Sequence, residues 1–103
     1  MRLTGMGAEY SNMIHENGWY VYIVRCNDGT LYTGVTTNPT RRISEHNSSR
    51  GGSRYTRTRR PVELVYVETG ASRSVVCKRE YQIKKLSLAA KNNLIKKTEK
   101  GEQ

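Results

Sequence analysis

Five consecutive residues, Tyr20-Val21-Tyr22-Ile23-Val24, are all aromatic or β-branched. Successive side chains of a strand point to opposite faces, so this run is apolar on both. Such a strand needs cover on two sides, which predicts a central position in the sheet. Asn27-Asp28-Gly29 then supplies turn chemistry, and Leu31-Tyr32-Thr33-Gly34-Val35 reads as the return strand of a hairpin.

The length of that turn decides which side chains meet. With a two-residue loop at Asp28-Gly29, Tyr22 faces Val35 and Tyr32 projects from the other side of the sheet. With a three-residue loop, Gly29 left-handed, Tyr32 pairs with Val24 and shares a face with Tyr22. A β-bulge beside a shorter loop has the same effect. A site that uses both tyrosine hydroxyls, on one face with Arg42 and Glu80, requires the odd-length turn or a bulge, and that arrangement is therefore the expectation.

Further along, Asn38-Pro39 is an N-cap followed by Pro at the first helical position, predicting a helix from Pro39 to Asn47 anchored by Ile43. Ser48 to Arg60 is polar, Gly-bearing and Arg-rich, and reads as an exposed loop. Val62 to Val67 is a third strand, entered through Pro61. Ser72 caps a second helix, Arg73 to Leu86, with Val75, Val76, Ile83 and Leu86 on one face and Arg79 unexplained among them. Ser87 caps a third, with Leu88, Leu94 and Ile95 inward. The class is α/β (α+β): a small three-stranded, mostly antiparallel sheet flanked by about three helices, in the order ββαβαα.

At 103 residues there is room for one domain. Residues 1–17 lack periodicity and are expected to be a flexible leader, residues 18–97 the domain, and residues 98–103 a frayed tail. No apolar run approaches the ~20 residues that cross a bilayer, and no secretory signal is visible. Cys26 and Cys77, far apart and outside any CxxC, read as free buried thiols in a reducing cytoplasm. The formal charge of +9 favours a polyanionic partner. Arg41, Arg42, Arg50, Arg54, Arg57, Arg59 and Arg60 fall in one window opposed only by Glu45, and the planar fork of Arg suits phosphate. No stretch joins basic residues to a strong apolar face, so nucleic acid is expected rather than a membrane. Phosphate-binding loops, dinucleotide fingerprints and paired Cys/His ligand spacings are absent.

What remains is a tyrosine on each strand of a hairpin, a helix with a basic pair, and a later helical glutamate. With these the chain resembles the GIY-YIG nuclease family. Tyr20-Val21-Tyr22 stands where the family writes GIY, and Tyr32-Thr33-Gly34 where it writes YIG. Arg42 takes the place of the family's helical arginine, His46 follows one turn later, and Glu80 stands where its metal-binding glutamate lies. The likeness spans Gly18 to Ile95. It is nearest to the small stand-alone GIY-YIG proteins of bacteria, which share a stretch like Tyr55 to Leu64.

The resemblance implies a divalent-metal-dependent endonuclease acting on DNA, in repair or processing. Glu80 would hold Mg²⁺ (or Mn²⁺), Arg42 would clamp the scissile phosphate, and Tyr22, helped by Tyr32 or His46, would orient or deprotonate the attacking water. Arg41, Arg50, Arg54, Arg57, Arg59 and Arg60 would grip the nucleic-acid backbone. Gly34 is the motif's structural glycine. Each residue also has a plain reading: tyrosines packed under a helix, Arg42 paired with Glu45, Gly34 relieving a close backbone approach. The family's glycine is Tyr20 here and the repair-type lysine is Val35. Its late asparagine is either Asn92 or Asn93. The alternative function is a non-catalytic nucleic-acid-binding module or a subunit of a repair complex, with a protein partner supplying target recognition. The expected state is a cytoplasmic monomer.

Overall fold

A computed structural model describes residues 18–48 and 53–99, so the leader at 1–17, Arg50 and residues 100–103 lie outside it. The elements run β1 (Trp19–Arg25), β2 (Leu31–Thr36), α1 (Pro39–His46), α2 (Arg54–Arg57), β3 (Glu63–Gly70), α3 (Arg73–Lys84) and α4 (Leu88–Glu99). The three strands form one antiparallel sheet in the order β2-β1-β3, which puts the doubly apolar strand in the centre.

The hairpin takes the three-residue loop. Cys26 N–H donates to the Thr30 carbonyl at 2.8 Å, Gly29 N–H donates to the Cys26 carbonyl at 2.9 Å, and Gly29 is left-handed at φ 86°. Val24 therefore pairs with Tyr32 and Tyr22 with Gly34. Along β3 the register shifts between Ile23 and Val24, leaving Val65 as the extra residue of a bulge.

Each face of the sheet has its own core. Tyr20, Tyr22, Val24, Cys26, Val62, Leu64 and Val67 gather around Ile43 of α1, with Tyr32 against them. Val21, Ile23, Val65 and Tyr66 meet Val76 and Ile83 of α3 and Ile95 of α4. Caps start the helices as the sequence suggests. Asn38 Oδ1 accepts from Arg41 N–H at 3.0 Å, Ser72 Oγ from Val75 N–H at 3.2 Å, and Ser87 Oγ from Ala90 N–H at 3.1 Å. The Asn47 amide, just past α1, bonds both backbone groups of Val62 at 2.7 and 3.0 Å, tying the end of α1 to the entry of β3.

Several expectations need correction. Val75, Leu86 and Leu88, expected inward, are exposed, because α3 offers the sheet only the narrow stripe of Val76 and Ile83, and α4 mainly Ile95. Arg79 sits beside that stripe and pairs with Glu68 of β3 at 3.0 Å, which accounts for a charge at the edge of an apolar face. The Ser48–Arg60 loop contains α2, built on a capping box between Ser53 and Thr56 that buries Thr56 completely. Cys26 is buried and free, but Cys77 is half-buried. Among the described residues no helix is long and apolar enough to cross a membrane.

Candidate active site

The hairpin register brings the site together. Tyr22 stands opposite Gly34, and its ring lies flat across the glycine. A Cβ built there would come within 2.5 Å of the Tyr22 Oη and 2.7 Å of its Cζ, so only hydrogen fits under the ring. Tyr32 lies beside it on the same face, ring centroids 6.4 Å apart. Above both, α1 delivers His46, with centroids 5.9 Å from Tyr22 and 5.4 Å from Tyr32.

His46 is fully buried, so both ring nitrogens need partners. Nε2 is 2.8 Å from the Tyr22 hydroxyl, and Nδ1 is 2.8 Å from the Thr56 hydroxyl. Arg42 lies one turn earlier on α1, close enough for its charge to bear on the Tyr22 phenol. It also pairs with Glu45 at 2.9 Å, and Arg41 joins the same carboxylate at 3.5 Å.

Burial dominates the electrostatics. It pushes the Tyr22 phenol up to about 12, with the neighbouring Arg42 guanidinium pulling down and the charges of Tyr32 and Glu80 adding to the rise. It pushes His46 down to about 4, helped by the Arg42 charge and opposed by Glu45. At neutral pH both partners of the hydrogen bond are therefore uncharged.

Glu80, expected on the tyrosine face, comes instead from the other layer. Its helix, α3, packs on the face opposite the tyrosines, yet its charge reaches the Tyr22 phenol. The carboxylate is partly shielded and pairs with Lys84 at 3.3 Å, an i,i+4 surface contact worth little. Among the described residues no group of three or more His, Cys, Asp or Glu side chains could hold a metal.

The arginines of the basic segment differ from one another. Arg59 is pinned: its Nε donates to Asp28 at 3.1 Å, its NH1 to the Tyr55 carbonyl at 2.8 Å, and its guanidinium lies 4.1 Å over the Tyr55 ring. Tyr55 in turn stacks on Tyr32, centroids 5.8 Å apart. Arg60 donates to the carbonyls of Arg57 and Ser48. Arg54 and Arg57 are exposed, with no acid paired to them among the described residues.

The sequence reading missed Thr56, which touches His46 from below, and Tyr55, which flanks Tyr32. A partial signal for Thr56 was present: Ser53 is a good N-cap, and Thr56 stands three residues later, where a capping box usually places Glu or Gln.

A family model described as the GIY-YIG catalytic domain matches residues 18–94, nearly the whole of the described fold. The chain belongs to the GIY-YIG family. Its relatives include a UPF0213 protein of Desulfotalea psychrophila, 65% identical over 83 residues that make up 81% of this chain and 76% of the relative. A UPF0213 protein of Syntrophus aciditrophicus is 57% identical over 77 residues, 75% of this chain and 88% of that one. Among solved structures, the solution NMR structure of a UPF0213 protein from Bacillus halodurans covers 77% of this chain and 83% of its own, with 42% identity and a TM-score of 0.50. The matched range includes the strand that carries Tyr22 and the strand that carries Tyr32 and the glycine beneath the Tyr22 ring. A GIY-YIG domain is a nuclease-type domain.

Proposed function

We propose that this chain is a divalent-cation-dependent endonuclease that hydrolyses phosphodiester bonds in DNA. The observation that carries the reading is the buried hydrogen bond between Tyr22 and His46, 2.8 Å long and set beside Arg42. A phenol and an imidazole, both neutral and joined in a dry site, form a path along which a proton can leave an attacking water.

Magnitudes restrict how that path works. Moving the Tyr22 proton to His46 in the free protein spans about 12 to about 4 on the pKa scale. That is uphill by on the order of 10 kcal/mol, so no tyrosinate–imidazolium pair waits in the resting site. The transfer must be concerted. The water oxygen forms its bond to phosphorus as its proton goes to Tyr22 Oη and the phenol proton goes to His46 Nε2. The phosphorus–oxygen bond to the leaving strand breaks, and that oxygen takes a proton from solvent. Arg42 neutralises charge gathering on the phosphate, which draws it away from Glu45. Tyr32 packs against the rings of Tyr22 and His46 and holds them in place.

The donor set fits a hard cation that keeps most of its water. One carboxylate, Glu80, has a weak surface partner to release, and among the described residues no cluster of three or more His, Cys, Asp or Glu surrounds it. Glu80 would hold Mg²⁺ or Mn²⁺, and the bound cation supplies positive charge at the leaving oxygen. With a single protein ligand, the cation binds firmly only together with the substrate phosphate. The exposed Arg54 and Arg57 supply backbone affinity without reading sequence.

The test is nicking of supercoiled, branched and single-stranded DNA with Mg²⁺ or Mn²⁺. Cleavage that falls at least about 100-fold in Tyr22→Phe, consistent with loss of a general base, and likewise in Glu80→Ala supports the reading. Wild-type protein that cuts none of these substrates, and binds DNA with the same salt dependence with or without metal, establishes the non-catalytic binding module instead.

A further inference from the structure

We propose that Thr56 is a positioning residue: its hydroxyl holds His46 in the Nδ1–H tautomer and so leaves Nε2 as the acceptor for the Tyr22 phenol. The tautomer follows from the hydrogen-bond chain alone, and its catalytic consequence rests on the nuclease reading above.

The chain has two ends of fixed character. At one end stands the Tyr22 phenol, a far stronger acid than an aliphatic hydroxyl. At the other the Ser53 carbonyl, 3.2 Å from Thr56 Oγ1, can only accept. Between them lie Tyr22 Oη to His46 Nε2 at 2.8 Å and His46 Nδ1 to Thr56 Oγ1 at 2.8 Å. The favoured polarity gives the imidazole lone pair to the stronger acid: Tyr22 donates to Nε2, Nδ1–H to Thr56, and Thr56 to a Ser53 oxygen, the carbonyl or Oγ, each 3.2 Å away. Thr56 then uses its single proton toward Ser53 and its two lone pairs toward Nδ1–H and the Ser53 N–H, itself 3.2 Å away. The opposite tautomer turns Nε2–H onto the Tyr22 oxygen, and the phenol loses its buried acceptor.

The fold keeps Thr56 rigid enough for this role. It is fully buried, and the capping box with Ser53 bonds its backbone N–H to Ser53 Oγ at 3.2 Å, so hydroxyl and backbone are fixed together. Arg59 closes the same segment onto the hairpin, where Asn27 N–H donates to the Arg59 carbonyl at 2.8 Å. The charged and titratable groups facing His46 are Tyr22 and Tyr32 from the strands and Arg42 and Glu45 from its own helix. None of them takes the Nδ1 side.

Long-range ¹H–¹⁵N correlation of the His46 ring tests the tautomer without nucleic acid or metal. The expected wild-type spectrum shows a protonated Nδ1 and a bare, hydrogen-bonded Nε2. Thr56→Val, which keeps the shape and removes the hydroxyl, should give a mixture or the Nε2–H form, and Thr56→Ser should restore the wild-type pattern. An Nε2–H ring in wild type, or a Thr56→Val spectrum identical to wild type, overturns the proposal. If Thr56→Val does not fold, the wild-type spectrum decides alone. In the nicking assay Thr56→Val should lower kcat about 10–100-fold with KM unchanged, and Thr56→Ser should recover it. An intact kcat in a folded Thr56→Val overturns the catalytic consequence. A wild-type protein that does not cut overturns the nuclease reading while the tautomer stands or falls by its spectrum.

Discussion

On the α1 side of the sheet the buried groups include Tyr20, Tyr22, Ile43, His46 and Thr56; on the α3–α4 side they are Val21, Ile23, Val65, Tyr66, Val76, Ile83 and Ile95. The strand residues of the two rows come from one sheet by alternation, broken at the Val65 bulge, and helices complete each row. They differ in what burial demands. The aliphatic row needs only shape and volume, and its one strongly polar cluster, Tyr66 with Glu68 and Arg79, lies at the margin. The tyrosine row carries polar tips into a dry place, so each tip must meet a partner. Here the partners are supplied by two elements distant in sequence, α1 and α2. A polar core face of this kind holds a few groups in one geometry, which is the requirement of a site.

Acid is the strongest way to break that difference. Burial lowers the His46 pKa to about 4, against about 6.5 in an unfolded chain. Between those values the unfolded chain binds more protons, so stability rises with pH. The contribution is complete above about pH 6.5 and is lost as the pH falls toward 4, on the order of 2–3 kcal/mol. Denaturant midpoints measured from pH 7 to 4.5 should therefore slope steeply in wild type and less in His46→Gln. Equal slopes would remove His46 from the account.

Two glycines sharpen the comparison with an effect of about 1–3 kcal/mol each, the usual range for overpacking. A Cβ on Gly34 meets the Tyr22 ring, and a Cβ on Gly70 meets Val76 Cγ1 at 2.4 Å. Gly34→Ala and Gly70→Ala should both lower the melting temperature. Only Gly34→Ala pushes Tyr22 away from His46, so only it should also abolish cleavage. Equal loss of cleavage in both would mean the faces are not functionally distinct.

The smallest effect on stability is expected in the basic segment. Arg54→Glu and Arg57→Glu touch exposed side chains and should change stability by no more than about 0.5 kcal/mol. Each should weaken DNA binding across all sequences and flatten its salt slope by about one phosphate contact. Arg59→Glu should behave otherwise. It breaks the ion pair to Asp28 and the stack on Tyr55, so it should destabilise the fold as well as binding.

Local chemistry was legible in the chain. Alternation marked β1 as central, the Asn27-Asp28-Gly29 turn set a register that puts Tyr22 and Tyr32 on one face, and Asn38, Ser72 and Ser87 marked the helix starts, because each signal acts within a few residues of itself. Three-dimensional packing decided the rest. Val75 and Leu88 have the periodicity of core residues, but a helix buries only the stripe its neighbour covers, and these side chains lie outside it. Arg79 belonged to no visible pattern until β3 set Glu68 beside it. Thr56 and Arg59 read as parts of a polar loop. Only the approach of α1 and of the hairpin turn makes one a buried partner of His46 and the other a clasp on Asp28. A hydrogen bond between residues ten or more apart depends on how the chain returns on itself. No local propensity records that return.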